Sequence, residues 1–111
     1  MAKGEHLGEF EQLVLLAVLS LRGEDAYGMN VRRALEVVAE REVSVPTVYA
    51  ALERLEGKGL VSSALGEATP ERGGRAKRLF RVEPEGVRML SAGRNRLERM
   101  WRAAALEPGA P

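Results

Sequence analysis

The stretch SVPTVYAALERLEGKGLV, residues 44–61, decides the fold because it contains a helix with both a start and a stop signal. Ser44 can cap a helix through its hydroxyl group, and Pro46 falls in the first turn, where proline is tolerated. Helical steps of three and four then separate the apolar residues Val48, Leu52 and Leu55. Gly57 and Gly59 end the pattern, so we expect an amphipathic helix that stops at these glycines.

Two short runs with strand character follow this helix. The first covers residues 60–63 and the second covers residues 77–82. The segment between them contains glycines, a proline and many charges, which is typical of a loop. The pattern therefore predicts a β-hairpin with a basic tip.

A helix over residues 7–21 is predicted before this region. Its apolar stripe has helical spacing and consists of Leu7, Phe10, Leu13, Val14, Ala17, Val18 and Leu21. Three further leucines lie outside the stripe: Leu15, Leu16 and Leu19. A helix that is apolar on most sides needs a deep core or a second neighbour. In a chain of this size we favour a second subunit.

Two more helices complete the pattern. One is expected over residues 26–41, with Asp25 as its N-cap. Its apolar stripe is Tyr27, Val31, Ala34, Leu35 and Val38. The other is expected over residues 84–105, beginning at Pro84. Its apolar side is marked by Val87, Leu90, Leu97, Trp101 and Ala104, with Met100 beside them.

The order of elements is three helices, a hairpin and a last helix. This order predicts a mainly α fold with a β-hairpin wing, of the α+β type, in which a winged helix-turn-helix is followed by a C-terminal helix. We assign residues 1–83 to a winged helix-turn-helix DNA-binding domain, residues 84–106 to the C-terminal helix and residues 107–111 to a flexible tail.

Length and composition exclude several functions. The chain has 111 residues, of which 45% are hydrophobic and 30% are charged, as in a globular domain. It has no cysteine, and His6 is its one histidine. Disulfides and cysteine zinc sites are therefore excluded. Since no nucleophile–base pair, carboxylate pair or metal cluster is visible, we expect no enzyme activity and no cofactor.

The apolar run LVLLAVLSL, residues 13–21, has the length of the apolar region of a signal peptide. However, Glu5, Glu9 and Glu11 precede it, where a signal peptide carries basic residues. The run is also too short to span a bilayer. We expect a core helix, a cytoplasmic protein and no membrane partner.

The net charge of +1 conceals a difference between the two halves of the chain. Residues 1–56 contain six Lys/Arg and ten Asp/Glu, a net charge of −4, whereas residues 57–111 contain eleven and six, a net charge of +5. A basic half favours a polyanionic partner such as double-stranded DNA.

Candidate DNA contacts lie on two elements. On and beside the third helix they are Ser44, Pro46, Thr47, Tyr49, Ala50 and Arg54, because its outward face is small and smooth enough to approach base edges. On the wing they are Arg72, Arg75, Lys77 and Arg78, because guanidinium groups suit phosphates and narrow minor grooves. Structural alternatives remain open: Thr47 supports the cap, Arg54 pairs with acids, Tyr49 packs on the second helix and the wing charges only confer solubility.

Candidate dimer-interface residues lie on the first and last helices. They are Phe10, Leu15, Leu16, Leu90, Leu97, Met100, Trp101 and Ala104. Trp101, the single tryptophan, either packs in an interface or the core or lines a pocket that stacks on a flat aromatic ligand.

Three segments carry a resemblance to a known family. YGMNV, residues 27–31, looks like the family's "YGYEI" opening of the second helix, and residues 44–61 look like its recognition helix and first wing strand. GGRAKRLFRVEPEG, residues 73–86, looks like its "GRPRKYYRLTEEG" segment. The chain thus resembles the PadR family of bacterial transcription regulators over about residues 7–92.

The resemblance implies a homodimeric repressor. In that family the third helix and the wing bind a palindromic operator, and the C-terminal helix dimerises, which makes residues 84–106 the implied dimerisation helix. Some members release DNA on binding a small, often aromatic effector. The chain departs from the pattern at three positions: Leu79-Phe80 replaces a tyrosine pair, Glu83 replaces a threonine, and Pro46 stands where glycine is common.

Two other functions remain open from the sequence. The acidic first half allows a protein-interaction module that keeps the winged-helix fold without binding DNA. A small-molecule sensor with weak DNA affinity, centred on Trp101, is the second.

Overall fold

A computed structural model describes residues 6–22, 25–66 and 77–105. Four helices and one hairpin follow in the order α1 (Glu9–Leu21), α2 (Gly28–Ala39), α3 (Val45–Gly57), β1 (Val61–Leu65), β2 (Arg78–Val82) and α4 (Pro84–Ala103). The strands are antiparallel, with Val61 opposite Val82 and Leu65 opposite Arg78. The mainly α architecture with a β-hairpin wing confirms the predicted fold class.

One apolar core joins α1, α2, α3 and the hairpin. Its buried members include Val14, Leu15, Val31, Val48, Leu52, Leu55 and Phe80. The predicted inward stripe of α3 is therefore confirmed, because all three of its residues have 0% exposure. The described residues contain no buried polar side chain that lacks a hydrogen bond.

The end of α3 explains why the hairpin begins where it does. Gly59 has a positive φ of 78°, which suits a residue without a Cβ. The N–H of Gly59 donates to the carbonyl of Glu56 and the N–H of Leu60 donates to the carbonyl of Leu55, both over 3.0 Å. This pair of bonds is a Schellman motif, and Leu55 and Leu60 both belong to the buried core.

The start of α2 differs from its prediction. Asp25 is not the N-cap; Tyr27 is, and it makes no side-chain capping bond. Tyr27 has an extended backbone and bridges to Leu79, and Phe80 donates its N–H to the carbonyl of Ala26 over 2.8 Å. Residues 26 and 27 therefore pair with β2 over a short stretch before α2 begins.

The predicted stripe of α2 is wrong at its last position. Val38 is 82% exposed, although Val31 and Leu35 are buried. The helix ends one residue later at Ala39, and Glu40 follows with a left-handed φ of 54°. Residues 36–38, near the end of α2, are therefore exposed.

The helix α4 begins at the domain and then leaves it. Within α4 only Gly86 and Leu90 are buried, and both lie in its first two turns. Near its start, a hydrogen bond from Arg88 lowers the pKa of the Glu85 carboxyl and raises the pKa of Arg88. None of the helices in the described ranges combines the length and the apolar content needed to cross a membrane.

Candidate nucleic-acid interface

The outward face of α3 is exposed along its whole length. Its members are those expected from the sequence: Pro46, Thr47, Ala50, Glu53, Arg54 and Gly57. The opposite face is held in the core by Val48, Ala51, Leu52 and Leu55. We call this exposed surface the α3 face. It offers small groups near the helix start and longer charged groups near the helix end.

Two hydroxyl groups lie together at the start of the α3 face. Ser44 caps the helix by accepting a hydrogen bond from the N–H of Thr47 over 3.2 Å, which confirms the predicted cap. The Ser44 and Thr47 hydroxyl oxygens are 2.9 Å apart. Thr47 thus supports the helix cap, which was its structural alternative. The Ser44 and Thr47 side chains both remain exposed beside Pro46.

Arg54 and Lys58 bind an acid on α1. Lys58 Nζ lies 3.3 Å from Glu11 Oε2, and Arg54 Nε lies 3.8 Å from the same oxygen. The Glu11 side chain is only 14% exposed, so this contact is partly shielded from solvent. Arg54 therefore has an acidic neighbour, as expected if it pairs with an acid. The distance from Arg54 Nε to Glu11 Oε2 is longer than a hydrogen bond.

Tyr49 packs between α2 and the hairpin. Its ring meets that of Phe80 edge to face, with centroids 6.1 Å apart. A Cβ built on Gly28 would lie only 2.6 Å from the Tyr49 hydroxyl oxygen. Packing against α2 is therefore the alternative observed for Tyr49, and the absence of a side chain at Gly28 makes it possible.

Two of the four predicted wing cations lie among the described residues, and both contact the body of the domain. Arg78 Nη2 donates to Glu56 Oε1 over 2.8 Å, and Arg78 Nε donates to Ser63 Oγ over 2.9 Å. Lys77 Nζ lies 3.4 Å from the centroid of the Tyr27 ring, a cation–π contact. The predicted contacts Arg72 and Arg75 lie outside the described residues.

Neither Glu11 nor Glu56 was expected from the sequence to belong to this surface. Glu11 precedes Lys58 by 47 residues, and Glu56 precedes Arg78 by 22. No local spacing signals such pairs. Only the alternative that Arg54 pairs with an acid pointed towards them.

The candidate dimer residues fall into three groups. Leu15 and Leu90 lie in the core of the single chain, so they are corrected to core residues. Phe10 is half-buried, with the Arg41 guanidinium 5.8 Å from its ring centroid. The other five candidates are exposed to solvent: Leu16, Leu97, Met100, Trp101 and Ala104. Within a single chain, Trp101 is 40% exposed.

A groove of about 840 Å³ lies between the end of α1 and the hairpin, and Leu19 and Phe80 are among its lining residues. Trp101 does not line this groove. Among the described residues, no group of three His, Cys, Asp or Glu side chains could hold a metal ion.

The fold is similar to solved structures of transcription regulators. A PadR-like transcription factor from Bacteroides fragilis gives a TM-score of 0.70 at 22% identity, with 86% of each chain covered. A PadR family transcriptional regulator from Eggerthella lenta gives 0.66 at 25% identity, covering 87% of this chain and 83% of that chain. A transcriptional regulator from Clostridium thermocellum gives 0.65 at 22% identity, covering 86% and 85%. No curated protein matches the chain in sequence.

The sequence profile described as "Transcriptional regulator PadR-like family" matches residues 15–92, well over half of the chain. That range includes all of α2, α3 and both strands of the hairpin. The residues that form the α3 face therefore fall inside the match. The chain belongs to the PadR-like family of transcriptional regulators, whose members are not enzymes.

Proposed function

We propose that this regulator is a sequence-specific DNA-binding repressor that acts as a homodimer on a palindromic operator. The observation that carries the proposal is the α3 face, which is exposed along the whole helix while the opposite face is fixed in the core. The second helix of a helix-turn-helix reads base edges in the major groove. Small groups such as Ala50 and the Thr47 methyl group suit close approach to thymine methyl groups.

Affinity and sequence preference come from different parts of this surface. Phosphate contacts supply most of the affinity and fix the register, whereas base contacts supply the preference. We assign phosphate contacts to Arg72, Arg75 and Lys77, and base contacts to Thr47 and Arg54. Arg54 suits the second role because its side chain is 56% exposed and its guanidinium is not hydrogen-bonded to Glu11.

Residues 84–106 are proposed as the dimerisation segment. Leu97 is 60% exposed and Met100 is 63% exposed, which is costly for large apolar side chains on one helix. The radius of gyration is 15.8 Å, against about 13 Å for a compact chain of this length. A second copy would cover these side chains and place two copies of α3 about 34 Å apart, one turn of the duplex.

A small aromatic effector and a cytoplasmic location complete the proposal. Trp101 is the residue we assign to the effector, since its ring is partly exposed and could stack on a flat molecule. It is the single tryptophan, so quenching of its fluorescence by a candidate aromatic compound reports binding directly.

The experiment is fluorescence anisotropy of a labelled duplex taken from the region upstream of the protein's own gene. The comparison duplex has the same composition in scrambled order, and both are titrated across a salt series. We expect preferential binding to the upstream duplex, with an affinity that falls steeply as salt rises. Arg99→Ala serves as a control that removes one cation from α4 without touching α3 or the wing.

Two other outcomes would have different consequences for the proposal. Equal binding to both duplexes would retain DNA binding and place the operator elsewhere. Binding to neither duplex, by protein shown to be folded and dimeric, would exclude the repressor function.

A protein-interaction module without DNA binding is the second candidate. It is favoured by Val37 and Val38, which are 71% and 82% exposed at the end of α2. The exposed acids Glu36 and Glu40 lie beside them. This candidate predicts no salt-dependent affinity for any duplex.

A further inference from the structure

Glu53 occupies the centre of the α3 face. At 100° per residue, Pro46, Ala50, Glu53 and Gly57 fall within a narrow stripe, opposite the buried Val48 and Leu55. All four members of the stripe are exposed. Their neighbours in the stripe are a proline, an alanine and a glycine, so Glu53 carries the one side chain in it that can hydrogen-bond. Any surface that approaches this stripe closely meets the Glu53 carboxylate.

The acids around Glu53 are neutralised, but Glu53 is not. Glu11 lies within salt-bridge distance of Arg54 and Lys58, and Glu56 binds Arg78. In the described part of the chain, no cation lies within salt-bridge distance of Glu53, and no donor is hydrogen-bonded to it. The chain thus leaves one unpaired negative charge where the proposed function brings in a polyanion.

An unpaired carboxylate at that place is unfavourable next to phosphate and next to most base edges. In the major groove guanine presents the acceptors N7 and O6, and thymine presents the acceptor O4 with a methyl group. Both would repel a carboxylate. Adenine presents an N6 donor beside the N7 acceptor, so N7 would repel one of the two carboxylate oxygens. Cytosine presents its N4 amino donor, and Glu is among the side chains that accept from it.

We infer that Glu53 is a specificity-determining residue that accepts a hydrogen bond from the N4 amino group of one cytosine in each half of the operator. The inference rests on the proposed function. It adds the identity of the base that Glu53, at the centre of the α3 face, selects. The charge acts twice, because it favours cytosine and also weakens binding to sequences that place an acceptor or a phosphate against it. Glu53 therefore raises the ratio of specific to non-specific affinity rather than the affinity itself.

The experiment is selection of duplexes from a pool whose randomised centre spans about two turns of DNA. Wild-type protein, Glu53→Gln, Glu53→Ala and Glu40→Gln are selected in parallel and the enriched sequences compared. Glu40→Gln is the matched control, because it removes an exposed carboxylate after the end of α2, outside the α3 face and the proposed dimerisation segment. The side chain of Glu53 is exposed and unpaired, so its variants are expected to fold, and thermal unfolding of each variant checks this.

We expect wild type and Glu40→Gln to enrich one motif with a cytosine at symmetric positions, preferred about ten- to hundredfold over other bases. Glu53→Gln should shift that position towards adenine, since an amide can both accept from N6 and donate to N7. Glu53→Ala should lose preference at that position alone and bind scrambled DNA more tightly than wild type does.

The failure of this inference differs from the failure of the proposed function. A wild-type motif without such a cytosine overturns the inference and leaves sequence-specific binding intact. The same result follows if both Glu53 variants enrich an unchanged motif. If folded wild type enriches no motif at all, the proposed function falls and the inference with it.

Discussion

Arg78 on β2 donates a hydrogen bond from Nη2 to Glu56 Oε1 over 2.8 Å, and this contact fixes the wing to the last turn of α3. Ser63 on β1 lies within the same contact, because it accepts from Arg78 Nε and donates to Glu56. Three elements are therefore joined by one network of charged and hydroxyl groups. The position of Arg78 argues that it holds the wing against α3 rather than binding phosphate.

The Arg78–Glu56 pair is expected to show energetic coupling in a double-mutant cycle. The Arg78 and Glu56 side chains are 41% and 32% exposed, so we expect a coupling free energy of only about 0.5–1 kcal/mol. Urea unfolding of Arg78→Ala, Glu56→Gln and the double variant measures it. A coupling of zero would mean that the contact does not hold the wing in solution.

Two helical glycines should respond in opposite directions to alanine. A Cβ on Gly86 would lie 2.5 Å from the backbone oxygen of Leu60, so Gly86→Ala should lower the free energy of unfolding by about 1–3 kcal/mol. A Cβ on Gly57 meets nothing within 4 Å, so Gly57→Ala should raise it by up to about 1 kcal/mol. Chemical denaturation of both variants tests the prediction. Equal effects would contradict the close approach of α4 to Leu60.

Substitutions at Ser44 should separate helix capping from DNA binding. Ser44→Ala removes the acceptor for the Thr47 N–H and should cost about 1 kcal/mol of stability. Ser44→Asp keeps a capping acceptor, so its stability should stay near wild type, but it places a negative charge on the proposed DNA-binding surface. Thermal unfolding and anisotropy measured side by side check this. Wild-type DNA affinity in Ser44→Asp would argue that Ser44 lies away from the phosphates.

The proposed dimer should dissociate when a charge is placed on the apolar side of α4. Leu97→Asp puts a carboxylate among exposed apolar residues, whereas Asn95→Asp puts one on the other side of the same helix. We expect Leu97→Asp to sediment as a folded monomer and Asn95→Asp to remain dimeric. The monomer should stay folded because Leu97 takes no part in the core of the single chain. A dimeric Leu97→Asp would place the interface elsewhere.

Local patterns in the sequence predicted the elements of this fold well. The cap at Ser44, the inward stripe of α3 and the stop at Gly59 depend on neighbours within a few residues, and all three are confirmed. The start of α2 was predicted wrongly because Ala26 bonds to Phe80, which lies far along the chain. A local pattern contains no information about that pairing.

The candidate site was less predictable for the same reason. Exposure of Thr47, Ala50 and Arg54 follows from the helical period, whereas the partners of the cations depend on tertiary contacts. Leu15 shows a second limit, because its position off the main stripe suggested a surface residue. The core surrounds α1 on more sides than one stripe describes, and Leu15 is fully buried.

Through the exposed apolar side chains of α4, the amount of the proposed active dimer depends on the concentration of the chain. In the proposed dimer, two copies must meet before two copies of α3 can bind one operator. When most chains are monomeric, halving the number of copies lowers the number of dimers about fourfold. The occupancy of the operator by such a repressor falls more steeply than the concentration of the protein. Dilution during cell growth would therefore itself act as a signal.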